Sequence, residues 1–414
     1  MSIAPPAALL LAALALSGCA EPETAVTVAD LVLQNARVVS VDPEIGEAEA
    51  VAVRAGRILA VGSQAEIEPH VGPDTRVIDL DGKLLVPGFI EGHGHFMGVG
   101  EARLILDLRE ASDWSEIVEQ VAEAVAAAEP GEVVRGRGWH QDKWIRPPEP
   151  QVEGFPLHAS LSAVSPDNPV VLTHASGHAA FVNAAALERA GIDRETPDPP
   201  GGEILRTADG EATGLLRETA QRLVRGEVLV HAGGEGVEIA PATVERMIAL
   251  ASEECLAKGV TTFTDAGSSF ETIDRLVEAA ENGTLGVRLW MMVRDSYDDL
   301  VAHLPDYKGD LVDDRLTVGG IKLSIDGALG SRGAWLLEPY SDQPDSTGLN
   351  LIPVDEVRRT AELAMAEDYQ LCVHAIGDRA NREVLDIFEE TFAAHPEADD
   401  LRWRIEHAQH LHPD

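Results

Sequence analysis

Two histidines separated by one residue, His93 and His95 in LLVPGFIEGHGHF, end a short apolar run that reads as a buried strand. Side chains alternate faces along a strand, so residues two apart point the same way and both imidazoles can reach one metal ion. An H-x-H pair alone is weak evidence, because surface histidines adopt that spacing by chance. Three later residues strengthen it: Lys322 in GGIKLSIDGALGSRGAW, His374 in LCVHAIGDRAN and His407 in WRIEHAQH. Each lies at or near the end of its own expected strand. Neutral imidazole suits zinc and similar first-row divalent ions. A lysine ammonium has no lone pair, and becomes a ligand only when CO2 adds to give a carbamate whose two oxygens can bridge two ions. Asp326 is the rival oxygen ligand if Lys322 is unmodified. Such a set lowers the pKa of bound water and polarises a carbonyl. A carboxylate is still needed to carry the water's proton to the leaving group.

A second cluster contains His174 and His178 in THASGHAAFVN, with Trp139 and His140 in GRGWHQDKW. Loops on a rigid scaffold carry specificity, so His178, Trp139 and Asp326 are candidate substrate contacts. The competing reading has His178 satisfying loop backbone groups and Trp139 packed in the interior.

These residues need elements to position them. From Asp30 the chain runs in short β segments, ADLVLQNARVVSV, EAEAVAVRAGRILAVG and TRVIDLDGKLLVPG, punctuated by turn signals such as Asp81-Gly82. This predicts a small β domain over 30–86. Beyond it, helical periodicity over Trp114–Ala128, Thr243–Lys258, Phe270–Asn282, Val354–Glu367 and Ala380–Ala394 alternates with strand-like segments. Strands alternating with helices predict a parallel sheet closing as a (β/α) barrel over 87–414, with an insertion at about 130–235. Barrel sites sit at the carboxyl ends of the strands, where His93, His95, Lys322, His374 and His407 all fall on this reading.

The chain has 71 acidic residues against 32 basic ones, a formal charge of −39 that repels nucleic acid and anionic lipid surfaces. Three cysteines argue against a disulfide framework, and Cys255 and Cys372 sit in apolar surroundings. The apolar run Ala7–Leu16 has signal-peptide length and precedes Leu16-Ser17-Gly18-Cys19, which looks like a bacterial lipobox. Residues 1–19 therefore read as a lipoprotein signal peptide with Cys19 as the lipidation site, and 20–29 as a tether. The run lacks the usual basic residues at its start. The expected location is the cell envelope, on the periplasmic or extracellular face, with the membrane met only through the lipid.

In these segments, together with ASGHAAFVN, GEATGLLRE and GVTTFTDAG, the chain resembles the amidohydrolase superfamily, specifically amidohydrolase family 3, from about Asp30 to its last residue. The resemblance implies a metal-binding (β/α)8 TIM barrel with a small composite β-sandwich, and hydrolysis of non-peptide C–N bonds in amides, formamides or cyclic amides. It implies one or two zinc ions held by His93, His95, His374 and His407, with Lys322 carbamylated. The implied general base is an aspartate on the eighth strand. Family members continue well past the IEHAQ strand, so this base is expected beyond Asp414 and the barrel is expected to be incomplete, lacking its last strands. A non-catalytic solute-binding lipoprotein, or an inactive fragment, is the alternative expectation. The expected partner is a small amide-type molecule.

Overall fold

The structure, a computed structural model, describes residues 26–225 and 241–413. The expected signal peptide, Cys19 and Asp414 lie outside the described residues. The chain divides into two compact units at Pro87/Gly88.

In the smaller unit, β1 (Leu31–Gln34), β2 (Ala50–Arg54), β3 (Arg57–Gly62) and β4 (Arg76–Asp79) form a sheet in the order β3–β2–β1–β4. Pairing is antiparallel except between β1 and β4. A second, two-stranded ladder joins Arg37–Val38 to Leu84–Leu85. The alternation in β2 turns Ala50 and Ala52 inward against Val32 and Ile67. The Asp81-Gly82 turn takes positive φ at both residues, +50° and +71°. Asp and Gly tolerate that conformation best.

The larger unit opens with β5 (Phe89–Gly94) and then builds a separate sheet. Its strands are β6 (Leu106–Asp107), β7 (Val134–Trp139), β8 (Val170–His174), β9 (Ala179–Val182), β10 (Gly202–Arg206) and β11 (Ala212–Glu218), in the order β10–β11–β9–β8–β7–β6. The insertion thus begins before Leu106, earlier than the expected 130. The reason is topological: β6 pairs with β7 rather than with a barrel strand, and the helix Trp114–Ala127 between them packs its Trp114, Ile117 and Val121 into the core of this second sheet.

The barrel series resumes with β12 (Val260–Ser268), β13 (Arg288–Val293), β14 (Leu316–Ser324), β15 (Gln370–Ala375) and β16 (Arg404–His407). With β5 they form a wholly parallel six-stranded sheet in the order β16–β15–β14–β13–β12–β5. Segments such as LWMMV and LCVHA are apolar on both faces, as parallel strands covered on both sides must be. Met291, Met292, Leu371 and Val373 are fully buried. Among the helices between strands, those beginning at Phe270 and Tyr297 start at side-chain caps, Ser269 accepting from the Thr272 N–H and Ser296 from the Asp299 N–H. Their apolar faces, including Ile273, Leu276, Val384 and Ile387, complete the largest core.

Flat, this sheet would separate its edge strands by roughly 24 Å, five spacings of ~4.8 Å. Yet the rings of His93 on edge β5 and His407 on edge β16 lie 4.7 Å apart. The sheet is therefore curled, with the carboxyl ends of its edges brought together. This is a curled, open six-stranded part of a (β/α)8 barrel: the alternation of elements predicts the barrel, and the family resemblance its incompleteness.

Candidate metal centre

Four of the five expected ligands form a chain of ring contacts across the carboxyl ends of three strands. His93 ends near the tip of β5, and His95 follows in extended backbone, so the alternation holds and the two rings stand 5.9 Å apart. His93 meets His407 at 4.7 Å, and His407 meets His374 of β15 at 4.5 Å. Lys322 comes from β14, next to β15, and is 2% exposed. Gly267 makes room for its stem: a Cβ there would stand 3.0 Å from Lys322 Cγ, and φ is +120°, so this position favours glycine twice over.

The electrostatics suit ligation. Burial holds the His374 imidazole well below its ordinary pKa, with His178, His407 and Lys322 pushing the same way. The ring is neutral at pH 7 and its lone pair is available. Its Nε2 is buried without a hydrogen-bond partner, standing 3.4 Å from Asp326 Oδ1 but outside bonding geometry. An orphaned buried nitrogen of this kind calls for an explanation, and a coordinated ion supplies one. Burial pulls the Lys322 amine down to about 8, with Arg294 adding to the fall and Glu406 opposing it. The neutral amine, the form that adds CO2, is thus within reach near neutrality. Among the described residues no group of three His, Cys, Asp or Glu side chains converges as it stands to hold an ion. The fit rests on the clustered neutral rings, the orphaned nitrogen and the buried lysine.

The amidohydrolase family model matches residues 76–414 of the chain. The chain belongs to the amidohydrolase family. Protein LONG AFTER FAR-RED 3 of Arabidopsis thaliana is 35% identical over 93% of this chain and 65% of its own length. An N-substituted formamide deformylase of Arthrobacter pascens is 30% identical over 87% of this chain and 66% of its own length. The chain thus spans just under two thirds of the curated relatives it matches. The crystal structure of an uncharacterized metal-dependent hydrolase from Pyrococcus horikoshii OT3 superposes with a TM-score of 0.63 at 25% identity, covering 87% of this chain and 68% of that one.

Three carboxylates that sequence reasoning gave no role shape this amidohydrolase centre. Glu406 makes a very short hydrogen bond to His93 Nδ1, which turns Nε2 outward in the manner of carboxylate–histidine–metal triads. Burial pushes Glu406 up, but the bond from His93 and the charge of Arg404 outweigh it and leave its pKa lowered. Asp265, 1% exposed in the carboxyl half of β12, accepts the Phe96 N–H at 2.7 Å and the Ser268 hydroxyl at 2.8 Å. It fixes the backbone next to His95. Glu218, at the end of β11, accepts from His178 Nδ1 at 2.7 Å. The sequence signals existed: Glu406 adjoins His407, Asp265 lies in GVTTFTDAG and Glu218 ends GEATGLLRE.

The second cluster divides. His178 comes to the array, its ring 4.9 Å from that of His374. Trp139 packs in the interior: it is fully buried, its indole N–H donates to the Leu172 carbonyl at 2.8 Å, and Trp144, Phe155 and Phe181 surround it. Asp326 is likewise committed elsewhere. Its oxygens accept the backbone N–H groups of Trp335 (2.9 Å), Ile376 (2.9 Å) and Gly377 (2.7 Å), stapling the loop after β14 to the end of β15. Burial still pushes its carboxyl up to about 6 against those bonds.

Proposed function

We propose that the chain is the metal-binding part of a hydrolase that cleaves non-peptide C–N bonds in amides, formamides or cyclic amides. The observation carrying this reading is the row of imidazoles at the strand ends, with the unpartnered buried Nε2 of His374 beside the buried Lys322. Its likeness to an N-substituted formamide deformylase supports the bond class. His93, His95, His374 and His407 would hold one or two zinc ions, with Lys322 joining them as its carbamate. A divalent ion there supplies a nucleophilic water at neutral pH and polarises the scissile carbonyl.

The chain's own residues prepare that chemistry. Glu406 holds the proton of His93 on Nδ1 and so presents Nε2. Asp265 fixes the backbone after His95, and Asp326 fixes the loop beside His374. Burial keeps the amine of Lys322 close to neutrality. The curl of the sheet delivers His407 from one edge to His93 on the other.

The test uses the full chain, dialysed and then assayed for bound metal and for amine release from N-substituted formamides and cyclic amides. Retained zinc, and amine release that a chelator abolishes and zinc restores, is expected. A protein that neither retains a divalent metal nor shows metal-dependent release from any of these would sink the reading. Residues 1–19 add a separate proposal, attachment to the cell envelope through a lipid on Cys19. Incorporation of labelled palmitate, lost in Cys19→Ala, is the expected result; equal labelling of both chains, or of neither, would end it.

A further inference from the structure

The structure points to a second imidazole–carboxylate pair, contributed by the inserted sheet, that selects substrates by an N–H group. His178 lies in the loop between β8 and β9, and its Nδ1 bonds the Glu218 carboxylate at 2.7 Å. The opposite side of the ring remains for the histidine array, with the His374 ring centroid at 4.9 Å.

Glu218 is built in with unusual care. It is 6% exposed, and its backbone stands at φ +50°, ψ −123°, where a residue with a side chain is strained. Its carboxylate fills a niche lined by two glycines of the loop after β14. A Cβ at either Gly327 or Gly333 would come within 2.1 Å of Glu218 Oε1. The Ser331 hydroxyl of the same loop donates to Oε1 at 3.4 Å. Three segments thus converge to hold one carboxylate against one imidazole nitrogen.

A carboxylate oxygen accepts, so the 2.7 Å bond places the ring proton of His178 on Nδ1 and leaves the lone pair on Nε2. We infer that Nε2 of His178 accepts a hydrogen bond from the N–H of the substrate's amide, and that Glu218 is the positioning residue that makes it an acceptor. The inference rests on the hydrolase reading for the identity of the ligand. It goes beyond it by naming the favoured class: N-monosubstituted amides and formamides or ring N–H ureides, over N,N-disubstituted ones. A site built to bond an N–H discriminates strongly against an analogue lacking it, because a buried acceptor is then left unpaired.

Glu218→Gln is the informative variant. Its amide oxygen can take the Ser331 hydroxyl, which turns the amide NH2 toward Nδ1 and forces the proton to Nε2. The experiment is 15N NMR of the full, zinc-loaded chain with labelled histidine, His178 being assigned by loss of its signals in His178→Gln. Alongside it, binding of an N-monosubstituted formamide and its N-methylated counterpart is measured by calorimetry. Expected are an Nδ1–H tautomer in the wild type, an Nε2–H tautomer in Glu218→Gln, and a preference for the N–H compound that falls about tenfold or more in both variants. An Nε2–H or doubly protonated ring in the wild type would overturn the inference, as would equal wild-type affinity for the two compounds or a preference that survives Glu218→Gln. If that variant does not fold, the wild-type tautomer and the His178→Gln preference still decide. Binding needs no turnover, so failure of the hydrolase reading would show separately, as absence of amine release.

Discussion

Two histidine clusters stand in the larger unit, and they look alike until their nitrogens are followed. In the barrel sheet, His93, His374 and His407 are joined by ring contacts of 4.7 and 4.5 Å. In the inserted sheet, His140 and His174 lie 4.5 Å apart. His174 uses both ring nitrogens within the fold, Nδ1 toward Ser176 at 2.8 Å and Nε2 toward Gln141 at 3.1 Å, and Trp139 packs edge-on against it. His374, equally buried, leaves Nε2 unpartnered. Residue type, spacing and strand-end position are shared, so none of them separates a ligand from a structural histidine. What differs is the unpartnered buried nitrogen of His374.

The sharpest way to break this contrast is to truncate one member of each pair. His374→Ala should weaken zinc retention by more than about 100-fold, roughly 2.7 kcal/mol, with a modest effect on folding of the metal-free protein. His174→Ala should leave zinc affinity within a few-fold. It should cost about 2–4 kcal/mol of stability, because a packed ring and two internal hydrogen bonds are lost. Chelator competition and urea denaturation on the same samples report both quantities. Equal loss of zinc from the two variants would erase the distinction.

A smaller effect separates the array from its support. Glu406 touches His93 but is not proposed to touch metal, so Glu406→Gln should reduce zinc affinity by about 10–100-fold, the usual range for such a partner. Glu406→Asp should recover part of it. No change in affinity would mean that His93 needs no orienting carboxylate.

How much of this was legible in the chain follows from the reach of each signal. The β/α alternation has a short period, and helices such as Phe270–Glu281 and Val354–Glu367 fall where periodicity puts them. The start of the inserted sheet is illegible in the chain because β6 is two residues long and declares its partner only by pairing with β7. That His93, His95, Lys322, His374 and His407 lie at or near strand ends could be read because strand ends in a parallel series converge. Glu406 was hidden by the same rule of alternation that found His93 and His95. Consecutive strand residues should face opposite ways, yet at His407 φ is +77° and at Ala408 +41°. This left-handed step bends the chain out of the pleat, where Glu406 and His407 can both meet His93. The partners of Trp139 and Asp326 were illegible for the converse reason: a polar handle on a loop reads as available until the one carbonyl that Trp139 bonds and the three backbone N–H groups that Asp326 accepts are in view.

The least disruptive test uses pH alone and treats the two clusters as the same kind of object. Burial pushes His174 down to about 3, with His140, His178 and Arg137 adding to the effect; its ordinary value is 6.5. The unfolded chain therefore binds a proton at this site between those two values, and the folded chain does not. Stability is full above pH 6.5 and falls as pH drops toward 3, by about 1.4 kcal/mol per pH unit for this one group. His374 carries the same sign, its pKa also being lowered by burial. In metal-free protein both His174→Asn and His374→Asn should therefore flatten the acid side of the stability curve, each by one proton's worth of slope. Zinc then restores the contrast. Added metal should stabilise His174→Asn as it does the wild type, by about 2.7 kcal/mol at a hundredfold excess over its Kd, and should barely stabilise His374→Asn. Urea titrations at pH 6.5, 5.5 and 4.5, with and without zinc, distinguish a histidine that the fold needs neutral from one that it keeps neutral for a ligand.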